Sequence, residues 1–202
     1  SKEISKIFKV NIEEDLIIND ISIDSRKIKE NTLFIPLNGV NFDGHDFILD
    51  ALNNGAVACL CRNDYSAKFT SSANRVIIRV DNTLDALKKL ASYSRDRIKD
   101  LQLIGITGSN GKTTLKEWCS FILRKFYKIH YTQGNYNNHI GLPLSLSKMP
   151  KDTDICILEL GTNNPGEIKQ LSEICKPTIA IITNIGSAHI GKFKNKKEIA
   201  NE

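Results

Sequence analysis

The run Leu101 to Thr107 (LQLIGIT) passes without a break into Gly108-Ser109-Asn110-Gly111-Lys112-Thr113-Thr114, and a helical pattern then extends to about Phe126. A near-continuous apolar strand is the signature of a strand covered on both faces. Its turn through glycine into a helix predicts a parallel sheet with crossover helices. The rest of the second half repeats the theme, with strands read at Ile129 to Thr132, Ile155 to Leu160 (ICILEL) and Thr178 to Thr183 (TIAIIT). A helix between the last two opens near Pro165, where proline suits the first turn and Glu167 the positive end of the helix dipole. A final helix begins near Asn195 and meets no stop signal before Glu202, so these residues are expected to be part of a longer protein.

The first half also alternates, less cleanly. Strands are read at Thr32 to Leu37 (TLFIPL), Ala56 to Cys61 and Val76 to Val80, with helices over Asp46 to Asn53 and Thr83 to Ile98. With 202 residues and 41% hydrophobic side chains, two small cores are within reach. The charged stretch Arg95 to Asp100 makes the best boundary, giving residues 1–98 and 99–202 as two α/β domains, the second a parallel-sheet phosphate-loop domain that is incomplete.

Charge and cysteine content narrow the function classes. A net charge of +5 with interspersed signs implies no nucleic-acid-sized basic face. The run Lys192, Lys194, Lys196 and Lys197 reads as an exposed helix start, with help to an anionic ligand as the alternative. Cys59, Cys61, Cys119, Cys156 and Cys175 have no paired spacing and mostly sit in apolar runs, as buried free thiols do. No run approaches the roughly 20 apolar residues of a membrane span, and the N-terminus is polar, so with the free thiols a cytoplasmic protein away from membranes is expected, taken by default as a monomer.

The glycine loop carries the most specific chemistry. Gly108 and Gly111 let backbone N–H groups turn inward, the helix start adds a favourable dipole, Lys112 supplies a mobile positive charge and Thr113 a hydroxyl for Mg²⁺. A general phosphate loop has a further glycine where this chain has Ile106, so the form here is the shorter G-x-x-G-K-T. A plain glycine turn would need neither the lysine nor the threonines. Phosphate binding, and with it ATP, is the better reading for Thr107 to Thr114.

In that short form the loop resembles the ATP loop of the Mur ligase superfamily, which also holds folylpolyglutamate and cyanophycin synthetases. Asp24-Ser25-Arg26, Leu33 to Gly39 and Asp43-Gly44-His45-Asp46-Phe47 resemble the UDP-sugar-binding N-terminal domain of the later Mur ligases. Gly134 to Pro143, and Glu159-Leu160-Gly161-Thr162-Asn163 with Gly166-Glu167-Ile168, are similar to the members that join D-alanyl-D-alanine to UDP-N-acetylmuramoyl tripeptide. Members that add the third residue tend instead to carry Ser-Ser-His after the strand glutamate. The resemblance implies an ADP-forming ligase of peptidoglycan synthesis that makes a C–N bond through an acyl phosphate, with ATP and Mg²⁺. It also implies a carboxylated lysine and a C-terminal domain beyond these residues, so the chain alone is expected to be inactive. A third-residue ligase, or a nucleotide-binding module without catalysis, are the alternatives.

Candidate residues come from both lines. Glu159 ends an apolar strand, where an acid meets a cation or borders a cleft, and the resemblance assigns it to Mg²⁺. His189 would be taken for a surface residue, since Mg²⁺ prefers oxygen; only the resemblance makes it a ligand of a second metal ion. Lys112, Glu159 and His189 are thus the catalytic set, and Thr113, Glu159 and His189 the metal set. Ser25 and Arg26 suit a uridine diphosphate, with a solvated turn equally able to explain them, and the resemblance favours the former. Asn135, Asn137 and Asn138 suit a substrate or nucleotide, although asparagines are also common in turns. Asn41, Asp43 and His45 are weaker candidates, and His130 and Trp118 are read as core.

Overall fold

The computed structural model describes residues 2–12, 16–66, 75–186, 192–193 and 195–202, with Lys196 described in its backbone only. The chain forms two compact units, Ser1–Leu90 and Ala91–Glu202, which part inside a helix before the boundary expected at residue 98.

In the first unit the order is α1 (Lys2–Phe8), β1 (Asp20–Ser22), β2 (Thr32–Phe34), α2 (Ile48–Asn53), β3 (Ala56–Arg62), β4 (Val76–Val80) and the start of α3 (Thr83–Asp96), with short 3-10 turns at Ser25–Lys27 and Gly44–Phe47. All four strands pair in parallel in the order β1-β2-β3-β4. Phe34, Ile48, Ala51, Leu52, Cys59 and Cys61 pack together as one core. β2 stops short of the expected Leu37, because Pro36 has no N–H for a ladder. β1 carries a single apolar residue in three, too weak a pattern to be read in advance.

The second unit continues with β5 (Gln102–Thr107), α4 (Lys112–Leu123), β6 (Ile129–Tyr131), α5 (Gly141–Ser147), β7 (Ile155–Glu159), α6 (Glu167–Cys175), β8 (Ile179–Ile182) and α7 (Lys196–Asn201). Its sheet is parallel in the order β6-β7-β5-β8, with Ile106 opposite Glu159 and Thr107 opposite Ile182. Alternation along the strands divides the side chains between two layers. Leu103, Cys156 and Leu158 join Leu142, Leu146 and Leu171 of α5 and α6, whereas Ile104, Ile106, Ile155 and Ile157 meet Leu115, Cys119 and Leu123 of α4.

Glu159 continues the second of these series, so the same period that packs Ile155 and Ile157 against α4 brings the carboxylate towards the α4 start. β8 lies at the sheet edge, and Ile179 and Ile182 are 46% and 63% exposed.

Candidate functional site

The loop between β5 and α4 has the conformation its glycines permit. Gly108 has φ of 128° and Gly111, the residue capping α4, has φ of 80°, a region that side chains with a Cβ rarely adopt. Gly108 is also pressed for space, since a Cβ there would lie 2.2 Å from Thr183 Oγ1. Gly111 gives α4 no side-chain cap. The first N–H groups of the helix have no partner within it and therefore face the loop mouth as open donors. Lys112 Nζ folds back to donate to Gly108 O at 2.5 Å.

Residues just past β8 brace the loop. Ser109 N donates to Asn184 O and Asn110 N to Asn184 Oδ1, both at 3.0 Å, and Thr183 Oγ1 donates to Asn110 O at 2.6 Å. Gly186 N in turn donates to Ser109 Oγ at 2.8 Å. A cavity of about 250 Å³ opens beside this brace, lined by Gly108, Lys112, Ile182, Phe193 and Glu202 among others. Nothing in the sequence singles out Asn184. Its part depends on the register of β5 against β8, which no local pattern encodes.

Glu159 is 3% exposed. Its Oε2 accepts from Thr113 Oγ1 at 2.8 Å and its Oε1 from Asn137 Nδ2 at 2.7 Å, while its own N–H donates to Thr132 Oγ1 at 3.1 Å. Both carboxylate partners are neutral, and among the described residues no ion pair involves Glu159. A carboxylate so far out of water with no counter-charge is costly. The remedy its donor set fits is a hard cation taken by the carboxylate and the Thr113 hydroxyl, oxygen ligands of the kind Mg²⁺ prefers. Lys112, Thr113 and Glu159 are therefore brought together. His189 and Lys194 lie outside the described residues, while Lys192 and Lys197 are exposed as expected.

The asparagines divide. Asn137 steers Glu159 and receives Gly161 N on its carbonyl, and a Cβ on Gly161 would meet Asn137 Cγ at 2.9 Å. Asn138 Oδ1 accepts from Ile140 N and Gly141 N at 3.1 and 2.8 Å, so it caps α5. Asn135 is exposed. Glu167, at the start of α6, accepts from Asn163 N and Asn164 N; these bonds hold its carboxyl below the ordinary range although burial alone would raise it. Two side chains escape notice in the sequence. Thr132 is fully buried, and so is Lys116, whose Nζ donates to Thr132 O at 2.7 Å. A lysine in an amphipathic helix gives no sign of burial until the partner strand is known.

Of the residues read as core, His130 is half-buried, with Nε2–H donating to Ser145 O at 2.8 Å, and burial lowers its pKa against the opposing pull of that bond. Trp118 corrects the expectation, being 66% exposed. Leu115, Cys119 and Leu123 take the sheet-facing side of α4, and Trp118, Phe121 and Ile122 are left on the other.

In the first unit, Asp24 caps the turn that carries Ser25 and Arg26, and its carboxylate holds the Arg26 guanidinium through Nε and NH2 at 2.9 Å each. The Arg26 side chain is 86% exposed and Ser25 half-buried. Asn41 is exposed. His45, 1% exposed, has both ring nitrogens engaged. Nε2 accepts from Arg62 N at 3.1 Å, so Nδ1 carries the proton that goes to Asp43 Oδ1 at 2.5 Å. Arg62 also reaches Asp43, at 3.2 Å. His45 and Asp43 thus fasten the Gly44–Phe47 turn to the end of β3.

Residues 17–95 match the model described as the Mur ligase family, catalytic domain, and residues 106–202 the Mur ligase middle domain. A UDP-N-acetylmuramoyl-tripeptide–D-alanyl-D-alanine ligase of Bacillus subtilis is 42% identical over 93% of this chain and 40% of its own length. One from Rickettsia prowazekii is 40% identical over 99% of this chain and 43% of its own length. The chain spans about two fifths of the length of these relatives. Among solved structures, MurF from Acinetobacter baumannii superimposes with a TM-score of 0.85 at 31% identity, over 99% of this chain and 44% of that one. MurF ligase from Thermotoga maritima in complex with ADP gives 0.77 at 35%, over 93% and 42%.

Proposed function

Because the chain belongs to the Mur ligase family, we propose that the protein carrying these residues joins D-alanyl-D-alanine to UDP-N-acetylmuramoyl tripeptide with cleavage of ATP. The observation that carries the reading within this chain is the pairing of an uncapped, glycine-turned helix start with a buried carboxylate 2.8 Å from the first-turn threonine. The names and extent of the relatives supply the choice of substrates.

In this reading the open N–H groups at the start of α4 hold phosphate oxygens, and Lys112 exchanges Gly108 O for the γ-phosphate. The tripeptide's terminal carboxylate oxygen attacks the γ-phosphorus while the bond to the β-phosphate oxygen breaks, releasing ADP. The amine of D-alanyl-D-alanine then attacks the carbonyl carbon of the acyl phosphate, loses a proton, and phosphate departs from the tetrahedral intermediate. Thr113 and Glu159 would hold Mg²⁺, which offsets charge on the phosphates when bound. Asn137 keeps Glu159 turned towards that position. Ser25 and Arg26 would contact the uridine diphosphate, Arg26 exchanging Asp24 for phosphate oxygens in its planar fork. Asn135 is free to meet substrate, and His189 would hold a second metal ion as the resemblance implies. The buried free thiols at Cys59, Cys61, Cys156 and Cys175 suit a reducing cytoplasm.

The test is ADP release by the full-length protein. The expected result is turnover with UDP-N-acetylmuramoyl tripeptide plus D-alanyl-D-alanine and none with the corresponding dipeptide precursor plus a diamino acid. The reverse preference would make it a third-residue ligase, and ATP binding without either reaction a nucleotide-binding module.

A further inference from the structure

The reaction proposed above assigns Lys116 no role, yet its environment is unusual for a lysine. The side chain is fully buried, one helical turn beyond Thr113 on α4. Placing an ammonium there costs desolvation and rotamer freedom, and an apolar side chain of similar length would fill the same space at less cost. Its Nζ donates to Thr132 O at 2.7 Å, pairs with Glu117 Oε1 at 2.9 Å, and lies 5.8 Å from the centre of the Tyr131 ring.

Thr132 is the more telling partner, because all three of its polar groups are engaged. Its N–H donates to Ile157 O at 3.0 Å, its Oγ1 accepts from Glu159 N at 3.1 Å, and its carbonyl takes Lys116. Two connections therefore run from α4 to the end of β7. One is direct, from Thr113 Oγ1 to Glu159 Oε2; the other passes from Lys116 through Thr132 to the backbone of Glu159. The direct connection must open if a cation is to sit between hydroxyl and carboxylate, whereas the indirect one can remain.

Resting on the ligase reading and deepening it, we propose that Lys116 is a positioning residue. It ties α4 to Thr132, and so holds Glu159 at the distance from Thr113 that a divalent cation on the triphosphate requires. Lys116 touches no substrate. It acts through Thr132, as residues behind metal ligands commonly do, and their loss typically weakens metal binding about 10- to 100-fold.

The experiment measures ATP binding to the full-length protein by calorimetry over a range of Mg²⁺ concentrations, together with thermal unfolding, for the wild type, Lys116→Met, Thr132→Val and the double variant. Lys116→Met should raise the Mg²⁺ concentration needed for half-maximal enhancement of ATP affinity by about tenfold. Metal-free ATP affinity should change much less. Thr132→Val, which keeps the carbonyl but loses the Glu159 N–H partner, should shift it in the same direction, and the double variant should be no worse than the poorer single one. An unchanged Mg²⁺ requirement in folded Lys116→Met, with only a lower melting temperature, overturns the proposal, as do multiplying effects in the double variant. If Lys116→Met does not fold, Thr132→Val decides alone, and an unshifted requirement there refutes the connection. Because no peptide substrate is used, failure of the ligase reading shows separately, as absent turnover by a wild type that still binds ATP with Mg²⁺.

Discussion

Lys112 rests on Gly108 O at 2.5 Å, a carbonyl that any bound phosphate would have to displace. A hydrogen bond from an ammonium to a charged group contributes about 1.5–3 kcal/mol, so Lys112→Ala in the full-length protein should weaken ATP binding at least 10- to 100-fold. Calorimetry would read this directly, and an unchanged affinity would mean that the helix start alone holds the nucleotide. His45 makes the opposite case, a residue with a functional look and a structural task. Removing its ring in His45→Ala leaves Arg62 N and Asp43 without that partner in a site that is 1% exposed. The expected loss is about 2–4 kcal/mol in urea unfolding, with the ATP affinity of the second unit unchanged. Residue chemistry marks Lys112, through its place in the glycine loop, and marks Glu159 as an acid at an apolar strand end, while the assignment of Glu159 to Mg²⁺ comes from the resemblance. It does not separate Asn137, which steers the carboxylate, from Asn138, which caps α5, because the two share a side chain and differ only in what the fold sets opposite them.

At the scale of elements, β5 and β7 are plain in the sequence because their central residues are buried on both faces and read as near-continuous apolar runs. The sequence locates α4 but not its orientation. Its apolar residues occupy more than one face, and the sheet selects Leu115, Cys119 and Leu123, leaving Trp118 in solvent. β6 brings in pH. Burial holds the pKa of His130 below its ordinary 6.5, so the unfolded chain takes up a proton before the folded one does. Stability from this residue is full above about pH 6.5 and is lost as the pH falls below it, until the folded histidine titrates as well. Thermal unfolding measured between about pH 7 and about pH 5 should show a shallower decline in His130→Gln than in the wild type. At the sheet edge, Ile182 on β8 is 63% exposed. A lysine there should lower self-association of the isolated chain, measured by light scattering, since charge on an edge strand opposes further pairing.

For the whole molecule, alternation and the charged stretch near residue 98 lead one to expect two α/β units, and the division into compact units falls between Leu90 and Ala91. α3 runs through it as one continuous helix from Thr83 to Asp96, and a helix interior carries no punctuation. The site is assembled from segments far apart in the chain, which is why its ends are readable and its connections are not. Asn184, which holds Ser109 and Asn110, stands well beyond them in the order of synthesis. A ribosome delivers the phosphate loop long before it delivers Asn184, so the glycine turn exists first as an unbraced segment. Its brace can form only after β8 has reached the side of β5 opposite β7. Long-range parallel pairing of this kind is slow. On the proposed reading, ATP should therefore be a late arrival in folding, unable to guide the early steps yet able to hold β8 in place once it has docked.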